Sequence, residues 1–568
     1  MATELDQMMD EAIKALTGEG GMLPLTHFEK YGEKLPMIAV APPALSHFFA
    51  YFCAQNADKE FLVDGDTRLT FAETYAAARG VAAALVEGHG IAKGDRVGIA
   101  ARNSANWIIA FMGTLMAGGV ATLLNGWWQG VELCAGIRDV ECALVLADDR
   151  CSAKIAECGN IGGARVITFS HDGPPANGLS AVLAAGGSAA TVLPDLSGDD
   201  LATILFTSGS TGQSKGAYSD HRGVVQGTFS YLAQTLMALS IATRMGKAPE
   251  GQPATLLNVP LFHVTAEVPV LLQSFAIGRK LVLMPKWDAQ EAMRLIEAEK
   301  ITYFVGVPLM SYEMATHPRR DQYDLTSCVT FAAGGAPRPV EHVRRIKETM
   351  DWAFPILGYG LTETNGIGCG NFNENYIAKP DSTGQPSRPL VDLAILDDNG
   401  HPLPSGAVGE VAIRSVANFL GYWNNPEATR AAIMPDGYFR TGDLGYLDAD
   451  NYLFIVDRKK DIIIRGGENI SCVEVEAAIY AHPGIAEASV FGIPDERFGE
   501  IVGAVYVARD GETVTPDDLL GFLSDQLAAF KVPAKLWQTD EALPRLGTAK
   551  IDKVGLRKAY QAQAKAEA

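Results

Sequence analysis

Short apolar runs rich in β-branched residues alternate with helical patterns over much of residues 1–300. The run Arg96–Ala100 precedes the helical pattern Ala105–Met116, and Leu281–Met284 precedes the helical pattern Ala289–Glu299. Strands of a parallel sheet are buried on both faces and are joined by helical crossovers, so their sequences are continuous apolar runs separated by helices. The alternation therefore predicts an α/β fold built on parallel βαβ units.

The length of the chain and its later turns indicate more than one domain. At 568 residues the chain exceeds what one hydrophobic core usually holds. After about Gly384, hairpin-like strands are separated by glycine-containing turns at 398–400, 404–406 and 435–437. The charged cluster Asp457–Asp461 lies between two apolar runs and predicts a domain boundary, although a charged hairpin tip within one domain would have the same composition.

Charge and targeting signals narrow the possible partners. The formal net charge of −20 argues against nucleic acid and anionic membrane surfaces, but it permits a small anionic ligand in a local basic pocket. The N-terminus lacks the basic and apolar segments of a secretion signal, and none of the eight cysteines forms a C-x-x-C pair. Trp107–Leu124 is 18 residues without a charge, yet its glycines favour a buried helix and a short strand over a membrane span. These features predict a cytoplasmic protein with free thiols and no membrane span.

A glycine-rich loop follows the apolar run Leu201–Phe206. The loop Thr207–Gly216 contains three glycines, several hydroxyl side chains and Lys215. Glycine lets the backbone approach an anion, while backbone N–H groups and hydroxyls donate to phosphate oxygens. A flexible surface linker would have a similar composition, but linkers seldom start directly from a buried strand. The loop does not fit the Walker A pattern. The predicted phosphate-binding residues are Thr207, Ser208, Gly209, Ser210, Thr211, Gly212 and Lys215.

This loop resembles the phosphate loop of the adenylate-forming superfamily, which includes acyl-CoA synthetases, luciferases and peptide-synthetase adenylation domains. The resemblance extends from about Leu69 to Arg557. It implies a large N-terminal domain of parallel-rich αβ-layered sheets plus a distorted β-barrel, followed by a small mobile α+β domain. The implied division is 1–457 for the large domain, 458–460 for a hinge and 461–568 for the small domain. Serines replace the commoner threonine at 210 and the commoner proline at 214, which leaves the loop's chemistry intact.

Two further segments resemble the adenine-binding edge of that superfamily. They are Phe331–Pro337 and Gly358–Thr364. The resemblance implies that Tyr359 stacks on adenine, that Thr362 contacts the α-phosphate region and that Glu363 binds Mg²⁺, a hard cation suited to carboxylate oxygens. Alternatively, Glu363 is a carboxylate that favours the N-terminus of a helix. The nucleotide-binding residues implied by these segments are Gly334, Gly335, Ala336, Pro337, Gly358, Tyr359, Gly360 and Thr362.

The remaining motifs follow in the order the superfamily requires. Asp443 matches the ribose ligand, since a carboxylate offers only acceptors to two vicinal hydroxyls. Arg458 matches a second ribose contact, and Lys460 matches the hinge. The segment Arg465–Ile470 resembles the lining of the coenzyme A tunnel, where glycine admits a thin substrate arm near the backbone. The implied coenzyme A residues are Gly466, Gly467 and Glu468.

The segment Leu543–Lys553 resembles the motif that carries the catalytic lysine, Lys550. Leu546 stands where threonine is usual, and Ala549 stands where glycine is usual. The extra methyl group at Ala549 restricts the backbone if a positive φ is needed there, so we expect activity with a slower first step. A solvated lysine in a basic tail is the alternative for Lys550 taken alone.

The implied reaction joins a carboxylic acid to coenzyme A through an acyl-adenylate, with ATP, Mg²⁺ and coenzyme A required. Pro260–His263 matches the motif in which the histidine gates the acid pocket. Catalysis is assigned to Lys550, Glu363, His263 and Thr362. The expected acid pocket offers small or apolar groups and no cation for a second carboxylate, which favours a medium- or long-chain fatty acid. The predicted pocket residues are His263, Val264, Val307, Gly366 and Gly368.

Several other functions are compatible with the sequence. An aromatic, cinnamate- or benzoate-like acid would also fit between small pocket residues. A stand-alone enzyme that loads a carrier protein, or a luciferase-like oxidase, would share every ATP motif. A non-catalytic nucleotide-binding protein would not need Lys550. The protein is expected to be a monomer or a homodimer.

Overall fold

A computed structural model of the chain describes residues 3–207, 214–334, 338–509, 511–546 and 550–567. Its strands, numbered in chain order, are β1 (Leu25–Lys30), β2 (Glu33–Ile38), β3 (Glu60–Asp64), β4 (Thr67–Thr70), β5 (Arg96–Ala101), β6 (Val120–Asn125), β7 (Leu144–Asp148), β8 (Arg165–Phe169), β9 (Leu201–Thr207), β10 (Lys215–Asp220), β11 (Ala254–Leu257), β12 (Lys280–Leu283), β13 (Tyr303–Gly306), β14 (Thr330–Gly334), β15 (Phe354–Gly360), β16 (Gly368–Asn371), β17 (Gln385–Pro386), β18 (Asp392–Leu396), β19 (Gly409–Arg414), β20 (Gly421–Tyr422), β21 (Phe439–Leu447), β22 (Leu453–Arg458), β23 (Ile463–Arg465), β24 (Glu468–Ile470), β25 (Ile485–Asp495), β26 (Gly499–Ala508) and β27 (Lys535–Gln538).

The α-helices are α1 (Glu4–Thr17), α2 (Leu45–Gln55), α3 (Phe71–Ala83), α4 (Ala105–Met116), α5 (Gly130–Asp139), α6 (Asp149–Cys158), α7 (Pro175–Gly178), α8 (Ser180–Leu183), α9 (His221–Arg244), α10 (Val264–Ala266), α11 (Gln273–Ile277), α12 (Ala289–Glu299), α13 (Pro308–Thr316), α14 (Val340–Thr349), α15 (Asn373–Ala378), α16 (Pro426–Ala432), α17 (Cys472–Tyr480), α18 (Pro516–Ser524) and α19 (Lys553–Glu567). Two π-helical turns, Ala84–Gly88 and Glu267–Leu272, and two 3₁₀ turns, Arg320–Gln322 and Thr362–Thr364, complete the helical elements of the described chain.

Two large sheets form the first part of the molecule. The nine-stranded sheet has the order β17-β16-β15-β14-β13-β11-β12-β3-β4, and its strands from β15 to β3 run parallel. The seven-stranded sheet has the order β20-β10-β9-β6-β5-β7-β8, and its strands from β9 to β8 run parallel. Helices follow most of these strands, so the parallel βαβ units predicted from the alternation are confirmed.

Helices packed between the two sheets share one continuous core with both of them. That core includes residues of α2, α3, α4 and α9 together with strand residues of each sheet. Trp107 and Phe111 on α4 are fully buried and stack 5.4 Å apart between ring centroids. The uncharged stretch 107–124 is therefore a buried helix followed by β6, as predicted. In the described part of the chain, none of the helices is both long and apolar enough to cross a bilayer.

The later part of the chain changes to antiparallel pairing. Strands β18, β19, β21 and β22 form a four-stranded antiparallel sheet where the distorted barrel is expected. Beyond it, β23 to β27 form a separate five-stranded sheet with its own apolar core. The chain passes from one sheet to the other between Arg458 and Ile463. The division into 1–457, 458–460 and 461–568 stays a prediction. All eight cysteines are free, in agreement with their lack of pairing in the sequence.

The carboxyl ends of the parallel strands define the edge at which a ligand is expected. Strands β13, β14 and β15 are adjacent, and they end at Gly306, Gly334 and Gly360. The neighbouring strand β11 leads directly towards His263. In open parallel sheets the ligand lies in the crevice outside these ends, because loops there diverge from a rigid scaffold. This edge gathers most of the residues that the motifs single out.

Candidate active site

The predicted phosphate loop joins two antiparallel strands. Thr207, the last residue of β9, pairs with Lys215, the first residue of β10. The ammonium nitrogen of Lys215 lies 4.9 Å from the centre of the Tyr422 ring. The positions from Ser208 to Gly212 lie outside the described residues. The element that follows this segment is a strand, β10, whereas a Walker A loop opens a helix, so the structure agrees with the rejection of that motif.

Glu363 lies in a 3₁₀ turn that follows β15, and only 8% of its surface is exposed. The hydroxyl of Tyr422 donates to its carboxylate oxygen Oε1 at 2.7 Å, and the N–H of Phe419 donates to its backbone carbonyl at 2.8 Å. Burial raises the pKa of Glu363, while Tyr422 and the cations of Arg458 and Lys215 oppose that rise. The arrangement keeps a buried carboxylate next to positive charge.

The surroundings of Glu363 fit a magnesium ion that is held mainly by a bound nucleotide. In the described part of the chain, no cluster of three or more acidic, histidine or cysteine side chains could hold a metal by itself. Mg²⁺ commonly takes one or two protein carboxylates and completes its shell with phosphate oxygens and water. A single buried carboxylate, oriented by the Tyr422 hydroxyl, matches that pattern.

Tyr359, Asp443 and Arg458 form a second polar cluster. The Tyr359 hydroxyl donates to Asp443 Oδ2 at 2.7 Å, and Arg458 Nε lies 3.0 Å from Asp443 Oδ1. Asp443 and Arg458 are also paired across strands β21 and β22. The Asp443 side chain is 5% exposed and that of Arg458 is 47% exposed, so the carboxylate forms the floor and the guanidinium forms the rim.

The glycines around this cluster serve two different purposes: some leave open space at the sheet edge, and others allow close backbone packing. A side chain at exposed Gly358 would meet no atom within 4 Å, whereas one at Gly360 would lie 2.0 Å from the carbonyl oxygen of Gly366. Gly334 pairs with Gly358 across β14 and β15, which brings the two predicted adenine-edge segments together. Gly335, Ala336 and Pro337 lie outside the described residues. The open face at Gly358 leaves space for a flat ring beside the half-buried Tyr359.

Lys550 lies one residue before Ile551, which forms an isolated antiparallel bridge with Arg545. The N–H of Leu546 donates to the carbonyl of Lys550 at 2.8 Å. Burial and the cation of Arg458 lower the pKa of Lys550 to about 8, while Asp443 opposes that shift. The lysine is thus within electrostatic range of the ribose-site candidates of the large domain. Ala549, the unusual residue beside it, lies outside the described residues.

His263 begins the short helix α10 and is held in place by Thr265. The N–H of Thr265 donates to His263 Nδ1 at 3.3 Å. Burial and, to a lesser extent, Lys550 lower the pKa of His263 to about 3, so the imidazole is neutral at physiological pH. A side chain at Gly366 would lie 3.4 Å from Val264 Cγ2 and 3.5 Å from the Tyr231 hydroxyl. His263, Val264 and Gly366 therefore lie in one neighbourhood.

The two other predicted pocket residues are packed differently. Val307 is buried at the start of α13 and belongs to a separate apolar cluster on the outer side of the sheet. A side chain at Gly368 would lie 2.5 Å from the carbonyl oxygen of Tyr359, so this glycine is required by the close pairing of β15 and β16. Their assignment to the acid pocket stays a prediction.

The hinge and coenzyme A candidates lie on exposed backbone. Lys460 is exposed between β22 and β23. Gly466 and Gly467 form the two-residue turn between β23 and β24 with φ of 59° and 93°, which glycine adopts without strain. Glu468 starts β24 and is exposed, and the N–H of Gly466 donates to the Phe498 carbonyl at 2.7 Å. The described contacts of this tip are thus with Phe498 of its own domain.

The structure adds residues that no motif indicated. Tyr422 orients Glu363, and the hydroxyl of Tyr231 donates at 2.6 Å to the carbonyl of Gly366, a predicted acid-pocket residue. Glu267 is fully buried one turn after His263. None of these three has a sequence neighbourhood that distinguishes it from ordinary core packing.

The chain is similar to known proteins over most of its length. Residues 49–423 match the AMP-binding enzyme family, and residues 474–550 match the AMP-binding enzyme C-terminal domain. A feruloyl-CoA synthase of an Amycolatopsis species is 33% identical over 499 residues, covering 87% of this chain and 95% of the relative. A long-chain-fatty-acid–CoA ligase of Bacillus subtilis is 32% identical over 499 residues, covering 83% and 86%. The crystal structure of ATP-bound MatB from Rhodopseudomonas palustris has a TM-score of 0.80 at 30% identity, covering 91% and 99%.

These matches confirm the predicted family, the predicted fold class and the predicted enzyme class, an AMP-forming acyl-CoA synthetase. The first match alone spans more than half of the chain and includes both large sheets. The second covers residues 474–550, a part of the small domain that ends at Lys550. The chain therefore belongs to the AMP-binding enzyme family.

Proposed function

We propose that this protein converts a monocarboxylic acid, ATP and coenzyme A into acyl-CoA, AMP and diphosphate, and that its acid is a medium- or long-chain fatty acid. The observation that carries the proposal is the convergence of Lys215, Arg458 and Lys550 on the edge that holds Glu363 and Asp443. Two anions, a carboxylate and a triphosphate, must meet in the first step, so the site has to supply positive charge.

In the first half-reaction the acid's carboxylate oxygen attacks the α-phosphorus, and the bond to the departing diphosphate breaks. We assign Lys550 to neutralise the charge shared by the carboxylate and the α-phosphate. Asp443 and Arg458 hold the ribose, Tyr359 supports the adenine, and Thr362 contacts the α-phosphate region. Glu363 would hold Mg²⁺, which supplies electrostatic stabilisation of the phosphate oxygens when bound. Lys215 and the loop that starts at Thr207 bind the remaining phosphates.

In the second half-reaction the thiolate of coenzyme A attacks the acyl carbon, and AMP leaves. Lys550 and the tip Gly466–Glu468 belong to the same small domain, so one site serves both steps if that domain rotates. We assign the rotation to residues 458–460, between domains 1–457 and 461–568. A few residues between two sheets can absorb such a backbone change, which is how hinge motions usually work.

The acid site supports an apolar substrate. Val264 is buried beside Gly366, and the helical segment 264–272 is apolar apart from Thr265 and Glu267. The similarity to a long-chain-fatty-acid–CoA ligase favours a fatty acid. The comparable similarity to a feruloyl-CoA synthase favours an aromatic acid as the second candidate.

The test is diphosphate release over a panel of fatty and aromatic acids, with MgATP and with coenzyme A present or absent. Release that depends on the acid, with acyl-CoA formed in equal amount, supports the proposal, and the acid with the highest kcat/KM identifies the substrate class. Acid-dependent adenylate formation without acyl-CoA would instead support a carrier-protein-loading enzyme. A protein that binds ATP yet releases no diphosphate with any acid would refute the ligase proposal. Lys550→Ala provides the matched inactive control.

A further inference from the structure

Glu267 is a buried carboxyl group that the reaction described above does not use. Its surface is 0% exposed, and among the residues that the structure describes neither of its carboxyl oxygens has a hydrogen-bond partner. Buried polar side chains nearly always find a partner, because the loss of water is otherwise uncompensated. A carboxyl group left alone in the interior is therefore a candidate for contact with something that the chain itself does not supply.

The position of Glu267 relates it to the acid pocket. Its N–H donates to the carbonyl of His263 at 3.0 Å, so one helical turn separates the two residues. Residues three and four apart lie on the same face of a helix. Glu267 thus shares a face with His263 and with Val264, the residue that a side chain at Gly366 would meet at 3.4 Å. His263, Val264 and Gly366 are the predicted acid-pocket residues that lie in one neighbourhood, so Glu267 is next to that pocket.

The backbone changes its hydrogen bonding at this residue. A π-helical turn, Glu267–Leu272, interrupts the helical segment between α10 and α11. π-helical turns are rare in proteins, and those that occur are often at functional sites. The two residues that flank Glu267 in the chain, Ala266 and Val268, are buried and apolar. Burial raises the pKa of Glu267 to about 8, so the group is a neutral carboxylic acid at pH 7.

We propose that Glu267 is a specificity-determining residue of the acid site and that it hydrogen-bonds a hydroxyl group on the otherwise apolar body of the acid. A neutral carboxyl group can both donate and accept, which matches a hydroxyl in each direction. A second carboxylate on the acid would instead put a charge beside the Glu267 carboxyl group in a buried, apolar surrounding, and that arrangement is costly. The inference rests on the proposed acid–CoA ligase function and narrows its substrate class to hydroxylated monocarboxylic acids.

The experiment compares pairs of acids that differ only in one hydroxyl. Suitable probes are dodecanoate with 12-hydroxydodecanoate, octanoate with 8-hydroxyoctanoate, and cinnamate with 4-hydroxycinnamate. For each pair, the ratio of kcat/KM is measured by diphosphate release with the unaltered protein, with Glu267→Leu and with Glu267→Gln. We expect the unaltered protein to prefer one hydroxylated acid over its parent by roughly 10- to 100-fold, because an unmatched buried polar group is penalised in the complex with the parent.

Glu267→Leu is expected to abolish or reverse that preference, because a leucine side chain offers no partner to a hydroxyl and no longer penalises the parent acid. Glu267→Gln, which still donates and accepts, is expected to keep part of the preference. Gln273→Leu is the matched control, since Gln273 is buried on the same segment but already donates to the Tyr231 carbonyl. It should lower stability without altering the ratio.

Two outcomes would overturn the inference. One is an unaltered protein that shows no hydroxyl preference in any pair although it turns over the parent acids. The other is a preference that persists in Glu267→Leu. Absence of turnover with every acid would refute the ligase proposal itself, and the two failures are thereby distinguished.

Discussion

The ammonium group of Lys550 and the imidazole of His263 lie within electrostatic range of each other, although they belong to different domains. Burial is the main cause of the low pKa of His263, and Lys550 lowers it further to about 3. The pKa of Lys550 is itself lowered to about 8 by burial and by Arg458. Burial and Arg458 disfavour the charged form of Lys550 in the empty site. A bound anion would stabilise that charge, so the site favours a negatively charged substrate.

The first prediction concerns the pH dependence of adenylation. Because the pKa of Lys550 lies near 8 in the free protein, its required charge is present below that pH and is lost as pH rises through it. We therefore expect kcat/KM for ATP to fall above about pH 8. Lys550→Arg keeps its charge at all accessible pH values, so its lower activity should show no such fall. The measurement is diphosphate release from pH 6 to pH 10 at limiting ATP, and an identical descending limb in Lys550→Arg would assign the limb to another group.

The second prediction concerns Glu363 and its partner Tyr422. Glu363→Gln removes the carboxylate and should lower kcat of diphosphate release on the order of 10²–10³-fold, with a higher Mg²⁺ concentration needed for half-maximal rate. Tyr422→Phe removes only the 2.7 Å hydrogen bond to Oε1, so a several-fold effect is expected. Magnesium titrations of the two variants provide the measurement. Equal Mg²⁺ dependence in Glu363→Gln and the unaltered protein would exclude Glu363 as a ligand.

The third prediction concerns the Asp443 cluster. Asp443→Asn weakens the ion pair with Arg458 and removes one acceptor for a sugar hydroxyl, so kcat/KM for ATP should fall roughly 10- to 100-fold. The KM for coenzyme A should stay nearly unchanged. Asp392→Asn is the matched control, because Asp392 also pairs with an arginine on an antiparallel strand but is half exposed. Similar losses in both variants would indicate destabilisation of the sheet rather than loss of a ribose contact.

The parts of the site that follow from chain order could be predicted, and those that depend on tertiary contacts could not. Alternating apolar runs and helices predicted the parallel sheets, and the order of the motifs predicted that Glu363, Asp443, Arg458 and Lys550 belong to one site. The role of Tyr422 depends on the antiparallel pairing of β20 with β10, which no local pattern specifies. In the same way, Trp128 packs edge-on against Phe206 at 5.1 Å, just before the phosphate loop, although its sequence neighbourhood offers no reason for an indole there.

Gly368 shows a different limit of sequence reasoning. A small residue near a predicted pocket suggests space for a ligand. At Gly368, however, a Cβ atom would lie only 2.5 Å from the backbone carbonyl oxygen of Tyr359, so the close strand pairing itself requires glycine. The sequence does not distinguish these two roles of a glycine, because they differ only in the distance to a neighbouring strand.

The fourth prediction concerns the hinge. The chain leaves the four-stranded sheet at Arg458 and enters the five-stranded sheet at Ile463, with Lys460 exposed between them. Proline fixes φ and restricts the residue before it, so Lys460→Pro should hinder rotation of the small domain. We expect acyl-CoA formation to fall at least tenfold while single-turnover adenylation changes only a few-fold. Lys460→Ala is the control with an unrestricted backbone, and normal acyl-CoA formation in Lys460→Pro would place the hinge elsewhere.

The fifth prediction follows from the isolated carboxyl group of Glu267. Burial raises its pKa from an ordinary 4.5 to about 8, so the folded protein keeps a proton that the unfolded chain releases between these values. Stability is therefore lost as pH rises from about 4.5 towards 8, and the loss levels off above that pH. Glu267→Gln removes this contribution, since an amide does not titrate in the range. The unfolding midpoint of Glu267→Gln relative to that of the unaltered protein should accordingly rise from pH 5 to pH 8.

Thermal unfolding at fixed ionic strength measures this difference. Glu374→Gln, at an exposed helical position, is the control. A difference that stays constant over this range would mean that the pKa of Glu267 is not raised in the folded protein, in which case the ionised group could not act as a donor to a substrate hydroxyl.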